Sequence, residues 1–130
     1  MLATSTRTKF TIDYSFNCNA KFLYFYLFNP EGLAEWFAQK VVADSNGLYT
    51  FTWEQDTMKA QLLEKRFNKY VKYKWEDTPK DEFFEMRIIE EPITGDVMLE
   101  IQDFAETNNP ESAIKIWDTS IIQLKTITGS

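Results

Sequence analysis

Hydrophobic and polar residues alternate with a period of two along most of this chain, and the period lengthens in one block near the start and another at the end. Phe10, Ile12, Tyr14 and Phe16 alternate with Thr11, Asp13 and Ser15, which predicts a strand over about 8–16 with one buried face. Asn19 then stands before Ala20-Lys21-Phe22-Leu23-Tyr24-Phe25-Tyr26-Leu27-Phe28. An asparagine cap and an apolar side of Phe22, Leu23, Phe25 and Tyr26 predict a helix buried nearly all round. Asn29-Pro30-Glu31 supplies a second cap, a proline at the first helical position and an acid near the helix dipole, so a short helix is expected to run to Trp36 or Phe37.

Period two then returns for most of the middle of the chain. Val41-Val42-Ala43, the turn residues Ser45-Asn46-Gly47, and Tyr49, Phe51 and Trp53 read as a hairpin. Met58, Ala60 and Leu62, then Val71, Tyr73 and Trp75, then Phe84, Met86 and Ile88, and finally Val97, Leu99 and Ile101 mark four further strands, each with one wet face. Residues 77–81 and 91–95 read as loops. In the tail, Asn109 is placed as a cap and Pro110 at the first helical position, with Ala113, Trp117, Ser120, Ile121, Leu124 and Thr128 on one side of a long helix. The predicted order is β-α-α-β6-α, an α+β arrangement. With no internal repeat or linker, it reads as one domain over 1–130 with a core of about 8–128.

Charge narrows the partners. Fourteen Lys and Arg against twenty Asp and Glu leave a net charge of −6, which repels phosphate backbones, so no nucleic-acid partner is expected. The densest basic stretch, Lys65, Arg66, Lys69, Lys72 and Lys74, is interleaved with Glu64, Glu76 and Asp77 and reads as a solvated strand face. There is no apolar run of the ~18 residues that a membrane span needs, and the polar start lacks a signal-peptide core. A cytoplasmic protein with no transmembrane segment is therefore expected.

Chemistry is limited by what is missing. The chain has no histidine, hence no imidazole base, no Ser-His or Cys-His pair and none of the usual zinc sites, and Cys18 alone forms no internal disulfide. Neither a metal nor a cofactor is expected. Asp13, Glu54, Glu76, Glu85 and Glu100 fall by alternation on the outer side, where a carboxylate stays solvated and has no reason for a catalytic pKa. No catalytic residue is assigned, and a non-enzymatic role is favoured.

The element order resembles the START-like superfamily, also called the SRPBCC or helix-grip superfamily. The residues that carry the resemblance are Gly32-Leu33-x-x-Trp36-Phe37 after the first helix, Phe51-x-Trp53, Tyr73-x-Trp75 and the closing helix with Trp117. The chain is similar to a small bacterial START-like family of uncharacterised single-domain proteins and, more distantly, to the activator domains of the heat-shock chaperone ATPase. The resemblance implies an antiparallel sheet bent around the carboxy-terminal helix, with a pocket between sheet, helix and the 30–37 segment. Members of the superfamily use that pocket for lipids, sterols, plant hormones, polyketides or aromatic substrates.

Two states of that interior fit the sequence. Twenty-one aromatic residues, each able to bury ~150–250 Å², could fill it, or could line a pocket of the ~300–1,000 Å³ typical of small-molecule sites. The candidate ligand-binding residues are Tyr14, Trp36, Phe37, Tyr49, Phe51, Trp53, Tyr73, Trp75, Phe84, Met86 and Trp117. Tyr14, Tyr49 and Tyr73 offer hydroxyls and the tryptophans offer indole N–H groups. The leading reading is a protein that binds a small hydrophobic molecule, a lipid or an aromatic, with Trp36 and Phe37 as a lid. The alternatives are a protein-interaction module of the chaperone-activator kind, or a cyclase or hydrolase working in the cavity. A homodimer or another protein partner remains compatible with strand edges that need protection.

Overall fold

The computed structural model describes residues 6–130. The polar start over 1–5, on which the cytoplasmic expectation partly rests, lies outside them. Strand β1 (Arg7–Phe16) leads into helix α1 (Ala20–Phe28) and the single helical turn α2 (Pro30–Leu33). Six strands follow: β2 (Lys40–Ala43), β3 (Leu48–Trp53), β4 (Asp56–Arg66), β5 (Tyr70–Trp75), β6 (Phe84–Glu90) and β7 (Val97–Glu106). Helix α3 (Pro110–Thr128) closes the chain. The strands form one seven-stranded sheet in the order β1-β7-β6-β5-β4-β3-β2, and every pairing is antiparallel. This is the expected α+β, helix-grip arrangement.

Local chemistry explains the elements. The Asn19 side chain accepts the Phe22 amide at 2.8 Å, and the Asn29 side chain accepts the Glu31 amide at 2.9 Å, so both early helices start on an asparagine cap. In the β2–β3 turn, Asp44 Oδ1 accepts the amides of Asn46 (2.8 Å) and Leu48 (3.0 Å), and Gly47 takes the left-handed φ of 81° that closes the hairpin. Helix α1 packs on β5 and β6, while α3 packs on β1, β7 and α1. The core lies between these helices and the inner face of the sheet, and Leu23, Leu27, Leu33, Phe51, Tyr73, Met86, Leu99 and Leu124 are all fully buried there.

Several expectations change. Helix α2 ends at Leu33 and does not run to Trp36 or Phe37: the Glu35 and Trp36 amides bond carbonyls only three residues back (3.1 and 3.4 Å), and the Ala38 amide joins Phe37 on the Leu33 carbonyl (3.3 and 2.8 Å), so the segment tightens into closing turns. Helix α1 is not buried all round: Phe22 is 43% exposed, and the inward side is Ala20, Leu23, Tyr24 and Leu27 with Tyr26 beside it. Asn109 makes no side-chain cap on α3, so only Pro110 and Glu111 mark its start. Glu85 does face outward but is buried against Arg87, whose Nε donates to it at 2.9 Å. An unexpected bulge between Leu62 and Glu64 shifts the β4–β5 register and leaves Leu63 exposed. No helix among the described residues is long and apolar enough to cross a membrane.

Gly32 is where α2 meets α1. A Cβ at this position would lie 2.6 Å from the Phe25 carbonyl oxygen and 2.9 Å from the Tyr26 Cα, both backbone atoms that cannot swing away. Gly32→Ala is expected to destabilise the fold by about 1–3 kcal/mol through this overpacking. Urea denaturation checks it, and an unchanged midpoint would refute the close approach.

Candidate functional site

The region between sheet and helix α3 is organised by the end of α1. A helix leaves its last four carbonyls without intrahelical partners, and α1 has neither a glycine cap nor a basic residue in its last turn. Four donors supply what is missing. The Asn29 amide bonds the Phe25 carbonyl at 3.1 Å, Trp36 Nε1 donates to Tyr26 O at 2.8 Å, Tyr73 Oη donates to Leu27 O at 2.8 Å, and Tyr49 Oη donates to Phe28 O at 2.7 Å. Burial pushes the Tyr73 phenol well above its ordinary pKa and raises Tyr49 as well, so both remain protonated donors at neutral pH. Three polar groups that the sequence offers as ligand handles are thus spent on one helix end.

The turn after α2 carries Phe37 into the gap between sheet and α3. Its ring lies 5.1 Å from Phe51, 5.9 Å from Phe84, 6.0 Å from Trp117, and 6.2 Å from Trp53 and from Trp75. It is nearly parallel to Trp75 (10°) and Phe84 (21°), as an offset-stacked ring in a slot would be. Trp53 Nε1 donates to the Phe37 carbonyl at 2.9 Å and holds the turn down. Trp36, Phe37, Tyr49, Phe51, Trp53, Tyr73, Trp75, Phe84 and Trp117 form one continuous array of ring contacts. Beside it runs an open groove of about 510 Å³, floored by Trp36, Phe37 and Trp53 and walled by Thr119, Ser120 and Gln123 of α3.

Two candidates stand outside the array. Met86 is fully buried as core. Tyr14 sits at the β1–α3 contact, only half-buried, and its hydroxyl donates to Asp118 at 2.6 Å. Burial, and then that bond, push its pKa up, and the group belongs to a tie between strand and helix at the margin of the core.

A polar corner closes the far end. Arg7 grips Glu82 with Nε and Nη2 (2.7 and 2.9 Å) and also reaches the Phe104 carbonyl at 3.3 Å. Asp103 accepts Trp117 Nε1 at 2.8 Å and the Phe104 amide at 2.7 Å. Together with Trp75, Thr78 and Phe83 these groups enclose about 120 Å³. Glu82 is 7% exposed. Sequence reasoning missed this corner, yet one signal was present: Val97, Leu99, Ile101, Asp103 and Ala105 share one phase, so alternation places Asp103 on the inner face. All four carboxylate oxygens of Glu82 and Asp103 already accept a bond, which makes the pair an anchor for α3 and the β1 edge. Among the described residues no group of three or more His, Cys, Asp or Glu is placed to hold a metal.

Two outcomes follow from these bonds. Tyr73→Phe strands the Leu27 carbonyl in a dry site and is expected to cost about 1–3 kcal/mol, read from the urea midpoint. Burial raises the Asp103 pKa, the opposing hydrogen bonds being weaker. The folded protein therefore holds this proton more tightly than the unfolded chain does. The group favours folding below the ordinary carboxylate pKa, and that contribution is lost as pH rises through its folded value. Asp103→Asn, which keeps an acceptor for Trp117, is expected to gain stability relative to wild type as pH rises from about 4 to 7. Parallel pH curves for the two proteins would refute the assignment.

Known proteins share this architecture. The sequence profile of the START-like superfamily domain matches residues 4–130. No curated protein matches the chain. Among solved structures, the chain is similar to BfR322 of Bacteroides fragilis, with 28% identity over 93% of this chain and 90% of that one and a TM-score of 0.65. The Aha1 dimer of Colwellia psychrerythraea superposes with a TM-score of 0.76 at 13% identity, covering 93% of this chain and 96% of that one. The protein MLL2253 of Mesorhizobium loti gives 0.74 at 14% identity, covering 92% and 95%. At such identities the last two show the fold alone. With the profile spanning nearly its whole length, the chain belongs to the START-like superfamily.

Proposed function

We propose that the protein is a non-enzymatic binding module for a small hydrophobic molecule, in which Phe37 is a plug that an aromatic ring or acyl chain displaces. The observation that carries this reading is the position of Phe37. It projects from a turn outside regular structure, inserts between Trp75, Phe84 and Trp117, and borders a groove of about 510 Å³. That volume lies within the ~300–1,000 Å³ range of small-molecule sites. Swinging one phenyl ring outward joins its slot to the groove, and a flat ligand ring would meet the same stacked neighbours. Burial of ligand area supplies ~25 cal/mol per Å², less the cost of association and of moving Phe37.

The neighbouring residues divide the work differently from the lid expected at first. Trp36 caps α1 and is 7% exposed, so its loss falls on stability, whereas Phe37 is the group free to exchange with a ligand. Catalysis in the cavity has less support, because Asp103 and Glu82, the acids at its edge, have their oxygens committed to Trp117, Phe104 and Arg7. A second reading, a protein-interaction module, rests on the rings that occupy the interior and on the fold likeness to the Aha1 dimer.

The test pairs two measurements. Native mass spectrometry of gently purified wild-type protein is expected to show a lipid or aromatic molecule at near-unit stoichiometry. Phe37→Ala is expected to bind 1-anilinonaphthalene-8-sulfonate about tenfold more tightly than wild type, equivalent to 1.4 kcal/mol, because the competing ring is gone. Trp36→Ala is expected to lose about 3–5 kcal/mol of stability, as large aromatic truncations do. Bare wild-type protein together with no gain in probe affinity for Phe37→Ala would overturn the reading in favour of the interaction module.

A further inference from the structure

Strand β1 is an edge of the sheet, and among the described residues nothing pairs with its outer side. The other edge, β2, is only four residues long, whereas β1 runs for ten residues with a continuous register and no proline or bulge. A long regular edge of this kind is a template for another strand. We propose that its occupant is the β1 strand of a second copy of this chain, joined antiparallel about a twofold axis through Thr11.

The phase of the backbone sets the register. The Thr107 amide donates to the Thr6 carbonyl at 2.8 Å, and the β1–β7 register runs without a break from Arg7↔Glu106 to Phe16↔Val97. Backbone groups of even-numbered β1 residues therefore point to β7, and those of Arg7, Lys9, Thr11, Asp13 and Ser15 point to the free edge. Hydrogen-bonded pairs across the new seam must join odd residues to odd residues. Pairing Thr11 with itself satisfies this and sets Lys9 opposite Asp13 of the second copy twice over, on the outer face. On the inner face the same register sets Phe10 opposite Ile12, both of them only partly buried in the single chain. Charge, apolar match and hydrogen-bond phase select one register together.

Helix α3 leaves room for the seam. It meets β7 through Trp117 with Asp103, and meets β1 through the adjacent Asp118 with Tyr14 and, further along, Lys125 over Phe16, so it lies over the β7–β1 pair. Two such helices related by the twofold would stay about two strand spacings apart, ~10 Å, which is an ordinary helix-packing distance.

Sedimentation equilibrium tests the proposal. Wild-type protein is expected to reach twice the chain mass of 15.3 kDa. Thr11→Pro removes only an outward-facing amide, so it is expected to give a monomer whose circular dichroism and urea midpoint match wild type. Lys9→Asp puts like charges opposite each other at two places and is expected to weaken association about tenfold at low salt, as is Asp13→Lys, while the double exchange restores it. A monomer throughout the accessible concentration range would overturn the proposal. So would a dimer that ignores Thr11→Pro, or single reversals that the double exchange does not rescue.

Discussion

The carboxy-terminal end of α1 is the constraint on which the rest of the interior depends. Its carbonyls point into the protein and not into water, and a buried unpaired carbonyl costs about as much as several favourable contacts return. The chain meets this with donors from three separate places: Trp36 from the turn after α2, Tyr49 from β3 and Tyr73 from β5. Each donor is also a large apolar body in the core. Satisfying the helix end therefore fixes where three rings stand, and through them the spacing between α1 and the sheet.

That constraint explains why the space under α3 is so full of rings. Tyr49 and Tyr73 are drawn towards α1, and Phe51, Trp75 and Phe84 pack against them in the same plane of the core. Phe37 then has one place left, against Trp75 and Phe84 below Trp117. Its ring differs from Phe51, Trp75 and Phe84, which also make no side-chain hydrogen bond, in standing on a turn and not on a strand, with its backbone carbonyl tied by Trp53 and its side chain held by dispersion. The group best placed to exchange with a ligand is thus the ring that neither a hydrogen bond nor a strand commits.

The polar corner at the opposite end works by the same logic with charges. Arg7 neutralises Glu82 where the carboxylate is nearly dry, and Asp103 holds the indole of Trp117 so that α3 cannot slide along the sheet. The first ties β1 to the loop between β5 and β6, and the second ties α3 to β7, so side chains brace the margin of the sheet beside its backbone pairing. With the Arg7 side chain itself exposed, the ion pair adds little net stability, and its value here lies in fixing position.

Most of the element order was legible in the residues, because capping and periodicity are local. Asn19 and Asn29 announce their helices, Asn46-Gly47 announces its turn, and the alternation from Tyr49 to Ile101 assigns an inner and an outer side to nearly every strand residue. Alternation names a side but not a neighbour. Tyr73 meets Leu27 across 46 positions and Arg7 meets Glu82 across 75, distances along the chain at which a one-dimensional pattern carries no information. The bulge at Leu63, the burial of Glu85 beside Arg87 and the commitment of the tyrosine hydroxyls to α1 were for that reason settled by packing in three dimensions, where each polar tip had to find whichever partner the folded backbone left unsatisfied.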